Sequence, residues 1–586
     1  MLNFTANNHF NYLRLPAVKG MLGFMIKPVL VLSMLLTSFE LLSQTSITDS
    51  YEKLIRERHV IQSNNSALFG DEVGLYMGNL EFVQTDIDIP GNNSLPVSLS
   101  RRFVVSSSNG EARVFGDWDL NIPHVHGMFT ERSGWSNTRC SNMWPPGGES
   151  GSGGEFFPAD LFWNGNYVYL PGSGDQELLR TSQGAGPTDG NIYPLTTRDR
   201  SVFRCIALSA GGTGEGFLMI RPDGTQYRFD YMVSRPAVSI MDAIDKPIRV
   251  RDTWILPTLV TDRFGNTVTY TWSNWQLVSI VASDGRRIDV TGFPITSATD
   301  GVRRWNYQYT TSGPVRPGLD RLVLPDGSAW QFNIADLYFN NSPSAKASAD
   351  CDNTSSSLLG GRRTGTMTHP TGAVGEFSVT GMEHGRSWVP SNCKSYGYAQ
   401  PAPMGYPDQP RVIPGWSIIQ KKIAGPGIPS QGYSWNYAYG PTNHCWAQKV
   451  YGWETAVCSA ASPTTKTVSV TGPDSSTVRY TFGNRYKISE GQLLRIDEGW
   501  NGSNSIRATI NTYASPDSGP YPRSIGGSMM PRGDGEMGSR YMPLQSKVVA
   551  EQGTTFRWQV ASDCAGVPYC FDAYARPIKV TKSSSP

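Results

Sequence analysis

The stretch 261–290, TDRFGNTVTYTWSNWQLVSIVASDGRRIDV, admits few folds. It opens on Asp262-Arg263-Phe264-Gly265-Asn266, where Gly and Asn tolerate the positive φ of a tight turn. Val268, Tyr270 and Trp272 then alternate with Thr267, Thr269 and Thr271, a period of two that sends one set to each face of a strand. Residues 277–281 read as a second strand, Asp284-Gly285 as a hairpin turn and 286–290 as a third strand. The unit recurs. Asp223-Gly224 precedes Tyr227, Phe229 and Tyr231; Asp326-Gly327 precedes Trp330 and Phe332; Thr371-Gly372 precedes Phe377 and Val379; Pro473-Asp474 precedes Val478, Tyr480 and Phe482. The turn glycines 224, 265, 285, 327 and 372 are separated by 41, 20, 42 and 45 residues, one or two units of about 20. One such unit cannot bury its aromatic face alone, so the pattern predicts a continuous antiparallel sheet of stacked repeats.

A turn with Asp and Gly, an alternating strand with Tyr, and a strand ending in a Gly-Arg turn resemble the tyrosine-aspartate (YD) repeat of rearrangement-hotspot (Rhs) proteins and related bacterial toxin-complex shells. Asp262, Gly265, Asn266, Tyr270, Leu277, Ile280, Gly285 and Arg286 carry the match. Upstream, Phe69-Gly70-Asp71, Leu75-Tyr76-Met77-Gly78, Pro90-Gly91-Asn92 and Leu95-Pro96-Val97 resemble the segment that opens many Rhs shells. The resemblance spans about 67–510 and is strongest at 67–103 and 258–290. It implies an all-β fold, a partial β-shell that presents a C-terminal toxin or effector, with no active site or cofactor of its own. Its implied partners are an effector encoded downstream or other YD-repeat chains. The family's Asp-Pro-rich closing motif is missing, so on this resemblance the chain reads as a truncated product or the first part of a longer shell.

Charge and cysteine content narrow the class further. Arg14, Lys19 and Lys27 precede an apolar run over 28–42, broken at Glu40 and too short for a membrane span, so 1–43 reads as an export signal with Met21 or Met25 as alternative starts. The remainder carries 48 basic and 48 acidic residues, which gives no electrostatic footprint for nucleic acid. Eight cysteines, an even number, in an exported chain predict disulfides, with Cys564–Cys570, Cys445–Cys458 and Cys351–Cys393 the nearest pairings. No CxxC pair favours metal.

Along the chain, 44–66 is a linker with a short helix expected over 47–62, 67–200 an Rhs-type N-terminal β region, 201–510 a degenerate repeat array, and 511–586 a Gly/Pro-rich loop followed by strands. Residues 569–582 resemble the start of another repeat, so the last sheet edge is expected to pair with further strands.

Catalytic motifs are absent: no P-loop lysine, HExxH or GxSxG occurs. His124 and His126 are two apart and could share a zinc ion, but lacking a third ligand nearby they are expected on the wet face of a strand. Asp86/Asp88 and Asp117/Asp119 are expected on solvated faces and turns. Residues 533–538, GDGEMG, match GxGxxG without its strand–turn–helix context. His444-Cys445 reads as a disulfide position rather than a dyad. Trp435, Tyr437 and Tyr439 share a face that the repeat argument assigns to the core; an exposed version would make the chain an adhesin or carbohydrate-binding protein, and a secreted hydrolase is the remaining alternative.

Overall fold

The computed structural model describes residues 68–586 except 106–112, 136–138, 143–144, 152–155, 158, 160–162, 164, 182–186, 238–239, 242–246, 311–316, 338–359, 392, 397–403, 408–410, 451, 453 and 525–540. The helix expected over 47–62, Cys351 and the GxGxxG stretch lie outside the described residues. All described residues belong to one unit, Gln44–Pro586. They are almost entirely β, with no α-helix among them and one 3-10 turn at Ala335–Leu337.

Two sheets dominate. Strands β1 (Asp71–Gly74), β2 (Asn79–Asp88), β3 (Ser98–Val104) and β4 (Asp119–Leu120) form a small antiparallel sheet in that order. A second, branched sheet of 28 strands has as its main run an antiparallel series from Leu179–Arg180 to Val580–Ser585, and Arg523–Ser524 pairs with the other side of Leu179–Arg180. The segment that anchored the sequence reading forms Thr267–Ser273, Gln276–Ala282 and Arg287–Thr291. Val268 and Tyr270 are buried and Thr269 and Thr271 exposed, as alternation requires. A register shift at Thr271/Trp272 ends the strict alternation there.

Antiparallel pairing fixes which turns lie together. The tight turns at 221–225, 262–266, 283–286, 300–303, 324–328, 369–373 and 472–476 all fall on one edge of the long sheet. An aspartate repeatedly closes them by accepting a backbone N–H two residues on: Thr225 to Asp223, Phe264 to Asp262, Val302 to Asp300, Ser328 to Asp326 and Ser476 to Asp474, all within 3.0 Å. The opposite edge carries the longer excursions, such as 386–411, 440–464 and 514–543.

The sheet also forks. Strand Val250–Thr261 pairs with Gln226–Pro236 along one side. On its other side Leu259–Thr261 continues into the repeats, while 250–255 pairs with β5 (His124–Thr130). Beyond β5 come Tyr167–Leu170 and Gly174–Glu177.

The core lies between the small sheet and the inner face of the repeats. Phe69 packs edge-on to Trp330 and Phe377 at 6.1 and 5.9 Å between ring centroids, Phe82 meets Phe377 at 4.7 Å, Trp118 meets Phe332 at 5.5 Å, and Tyr76 meets Phe482 at 5.6 Å. The aromatic positions read from the repeats are therefore the wall against which the N-terminal sheet packs.

Candidate functional site

The chemistry-bearing side chains gather where the N-terminal sheet meets its neighbours. On β1, Asp71 and Val73 point inward and Glu72 outward, as a strand dictates. Asp71 meets Lys421 at 2.6 Å across 350 residues of sequence, with both side chains buried. Burial raises the Asp71 carboxyl above its ordinary value, against the pull of Lys421. Removing one partner would leave an uncompensated charge in the core.

The turn after β1 sits on a second polar chain. Lys466 Nζ donates to His384 Nδ1 at 3.3 Å, the His384 Nε2–H donates to Ser417 Oγ at 2.8 Å, and Ser417 donates to the Met77 carbonyl at 2.6 Å. The Ile418 amide adds a bond to the Gly78 carbonyl at 2.8 Å. Gly78 is essential to this approach: a Cβ there would lie 2.2 Å from the Tyr439 hydroxyl and 2.6 Å from the Ser417 Cβ. Serine and histidine stand in nucleophile–base geometry, but the third position holds a lysine. A hydrolytic triad needs a carboxylate there to stabilise the imidazolium. Lys466 does the reverse, and together with burial it holds His384 well below its ordinary value. Ser417 is fully buried, so the chain positions a hairpin rather than activating a nucleophile.

A third polar seam joins the outer face of the small sheet to the fork. Glu72 and Glu81 stand opposite each other on β1 and β2. Burial and Glu81 push the Glu72 carboxyl up to about 7. Arg102 bonds Glu81 at 2.5 Å and lies 4.6 Å over the Tyr169 ring. His126 Nε2 is 3.0 Å from Asp175. Burial acts to raise Asp175, but His126 and Arg102 hold it well below the usual carboxylate range. His124 Nδ1 donates to the Ile122 carbonyl at 2.8 Å, and its ring stacks on Trp254 at 3.7 Å between centroids. Burial keeps that imidazole neutral by lowering its pKa to about 3.

Several sequence expectations are corrected here. His124 and His126 do share a face, yet both are buried, not on a wet one. They join no set of three convergent ligand atoms; among the described residues that arrangement occurs at Asp563, Cys564 and Cys570, whose two sulfurs form a disulfide and are not available to a metal. Asp117 and Asp119 are also buried instead of solvated, as is the side chain of Asp86, while Asp88 is exposed. Asp86 holds Arg101 at 2.9 Å, and the guanidinium of Arg101 lies 4.2 Å from the centroid of Trp118 and 4.5 Å from that of Phe332. Asp117 accepts the Leu319 amide at 2.8 Å, and burial pushes it up to about 6. Burial acts to raise Asp119, but Arg235, at 2.6 Å, and Arg113 hold it below its ordinary value. Alternation gave no signal for His124 and His126 because every residue of the strand bearing them is buried.

Other expectations hold. Trp435 and Tyr437 are buried, and Tyr439 donates to the Ile418 carbonyl at 2.8 Å. Cys445 pairs with Cys458 and Cys564 with Cys570, joined by Cys140–Cys205, a bridge that the sequence reading did not single out. His444 is adjacent to Arg411 through Nδ1. The two motifs that carried the resemblance also meet. Arg286 bonds Asp284 at 2.8 Å, the Ile89 and Leu95 carbonyls at 3.0 and 3.1 Å, and Asn93 Oδ1 at 3.0 Å. A Cβ on Gly91 would lie 2.2 Å from the guanidinium, so the loop after β2 needs glycine to close on the arginine. Lys421, Lys466, His384 and Ser417 were missed because their partners are distant in sequence and no spacing rule links them.

No protein-family model matches the chain, and no curated protein matches it. Among solved structures, it is similar to the TcdB2-TccC3-Cdc42 crystal structure at 8% identity and a TM-score of 0.24, covering 83% of this chain and 34% of that one. It is also similar to the TcdB2-TccC3-TEV crystal structure at 7% identity and a TM-score of 0.15, covering 83% of this chain and 27% of that one. The chain spans about a third or less of the length of these matches.

Proposed function

We propose that the protein is an exported, non-catalytic β-repeat scaffold, the N-terminal part of an Rhs/YD-type shell that presents a toxin or effector at the bacterial cell surface or outside the cell. The observation that carries this reading is the clamp of Arg286, from the Gly-Arg turn of a repeat, on the loop 89–95 of the N-terminal region. It joins the two segments in which the resemblance is strongest. The buried polar groups described above support a structural role: they pair, cap turns or anchor the small sheet, and the Ser417–His384 pair faces a lysine where hydrolysis needs a carboxylate. The three disulfides among the described residues fit an oxidising compartment. The aromatic side chains named for glycan stacking are core, which weighs against the adhesin reading.

Cross-linking followed by mass spectrometry, on protein isolated from the producing cell, tests the proposal. The expected result is cross-links from 544–585 to another YD-repeat chain or to an effector domain. Hydrolytic turnover abolished by one carboxylate substitution, with no such cross-links, would overturn it.

A further inference from the structure

The Lys466–His384 contact has a chemical peculiarity. Two groups that can each become cationic touch in the core, and among the described residues Lys466 has no ion-pair partner. Its ammonium end lies 3.7 Å from the centroid of the Tyr76 ring, which belongs to the turn between β1 and β2. The nearest carboxylate that acts on it is Glu490, already held by Arg386 at 2.6 Å. His384 faces Ser417 and, at 5.9 Å between ring centroids, Tyr439. The lid over this pair is the 75–78 turn, held by the Ser417–Met77 and Ile418–Gly78 bonds.

We propose that the Lys466–His384 pair is an acid-operated release point for the β1–β2 hairpin: protonation of the pair is relieved by the 75–78 turn lifting off the repeat sheet and admitting water. The proposal concerns the fold itself and stands whether or not the chain serves a shell.

Two pH windows follow. Burial lowers the Lys466 pKa to about 7 in the closed fold, whereas in an opened, solvated turn it returns towards about 10.4. Between those values the open form binds a proton that the closed form lacks, so opening grows about tenfold for each pH unit lost. Below pH 7 the lysine is charged in both forms, and its effect is constant. His384, held well below its ordinary value of about 6.5 when closed, takes over as pH falls below that value. The other titratable groups of the hairpin do not share this behaviour. Asp71, paired with Lys421, is raised in the closed form, so its protonation favours closure. Glu72, Glu81 and Arg102 interact within the small sheet itself.

The Ile418 amide reports the hairpin directly, because its acceptor is the Gly78 carbonyl. Hydrogen exchange of this amide in the full chain, corrected for the intrinsic rate, should give an opening constant that rises by about fiftyfold from pH 9 to pH 7 and rises again from pH 6.5 to pH 5. Lys466→Met should flatten the upper window and keep the lower one. His384→Gln should flatten the lower window and keep the upper one. The Ala282 amide, bonded to the Arg286 carbonyl elsewhere in the sheet, shows whether a variant has merely lost global stability. An opening constant with the same pH profile in wild type and both variants would overturn the proposal.

Discussion

At the residue scale, glycine and arginine separate what a turn requires from what an interface requires. Gly265 and Gly285 have φ of 87° and 92°, with open space where a Cβ would stand. Valine at either position meets only backbone strain, so each substitution should cost about 1–3 kcal/mol in urea unfolding. Gly78 has φ of 75° and a Cβ position 2.2 Å from a buried hydroxyl, so Gly78→Ala adds overpacking to strain and should cost more than either valine change. Equal losses at all three would mean that the 75–78 turn is not docked. Arg286→Lys removes the fork that reaches two carbonyls and Asn93 together, and a loss of about 2–4 kcal/mol is expected. Lys466 makes a signed pH prediction. Between pH 7 and about 10 the unfolded chain binds a proton that the fold lacks, so wild-type stability relative to Lys466→Met should rise with pH across that window. The turn glycines and Asp262 were legible from sequence, because tight-turn chemistry is local. Asp86 and Asp119 were misplaced, because burial of a carboxylate depends on an arginine supplied by another strand.

At the element scale, period-two alternation located the repeats wherever one face is wet. Thr267–Ser273 and Arg304–Tyr309 alternate buried and exposed, and both read cleanly. In β5 every residue is buried, so its histidines carried no signal of their environment. The fork at Val250–Thr261 was invisible for a related reason. A strand whose second edge is divided between two partners looks in sequence like any long strand. Cross-links act at this scale too. Cys140–Cys205 closes 65 residues and Cys564–Cys570 only 6. On the chain-entropy account, Cys140→Ser/Cys205→Ser should lower stability by about 4 kcal/mol and the short bridge by about 2, read as a difference in urea midpoints. A larger loss from the shorter bridge would show that local packing outweighs loop closure there.

At the scale of the whole molecule, a long repeat sheet has its aromatic inner face closed by the small N-terminal sheet. The repeats announced the long sheet; nothing local announced its lining, since β1 to β4 look like ordinary strands. On the export reading, mass spectrometry of protein from the producing cell should find a new N-terminus near residue 44 and peptides joined by the bridges Cys140–Cys205, Cys445–Cys458 and Cys564–Cys570. An intact Met1 with all cysteines free would refute it. The central claim is that β1 and the repeats share one core, and Asp71 with Lys421 places it within reach of a double-mutant cycle. Asp71→Asn and Lys421→Met should each cost about 3–5 kcal/mol, because each strands a buried group. The double variant should fall short of their sum by at least about 2 kcal/mol. Additivity within about 0.5 kcal/mol would contradict contact between these residues, and with it the packing of the small sheet on the repeats.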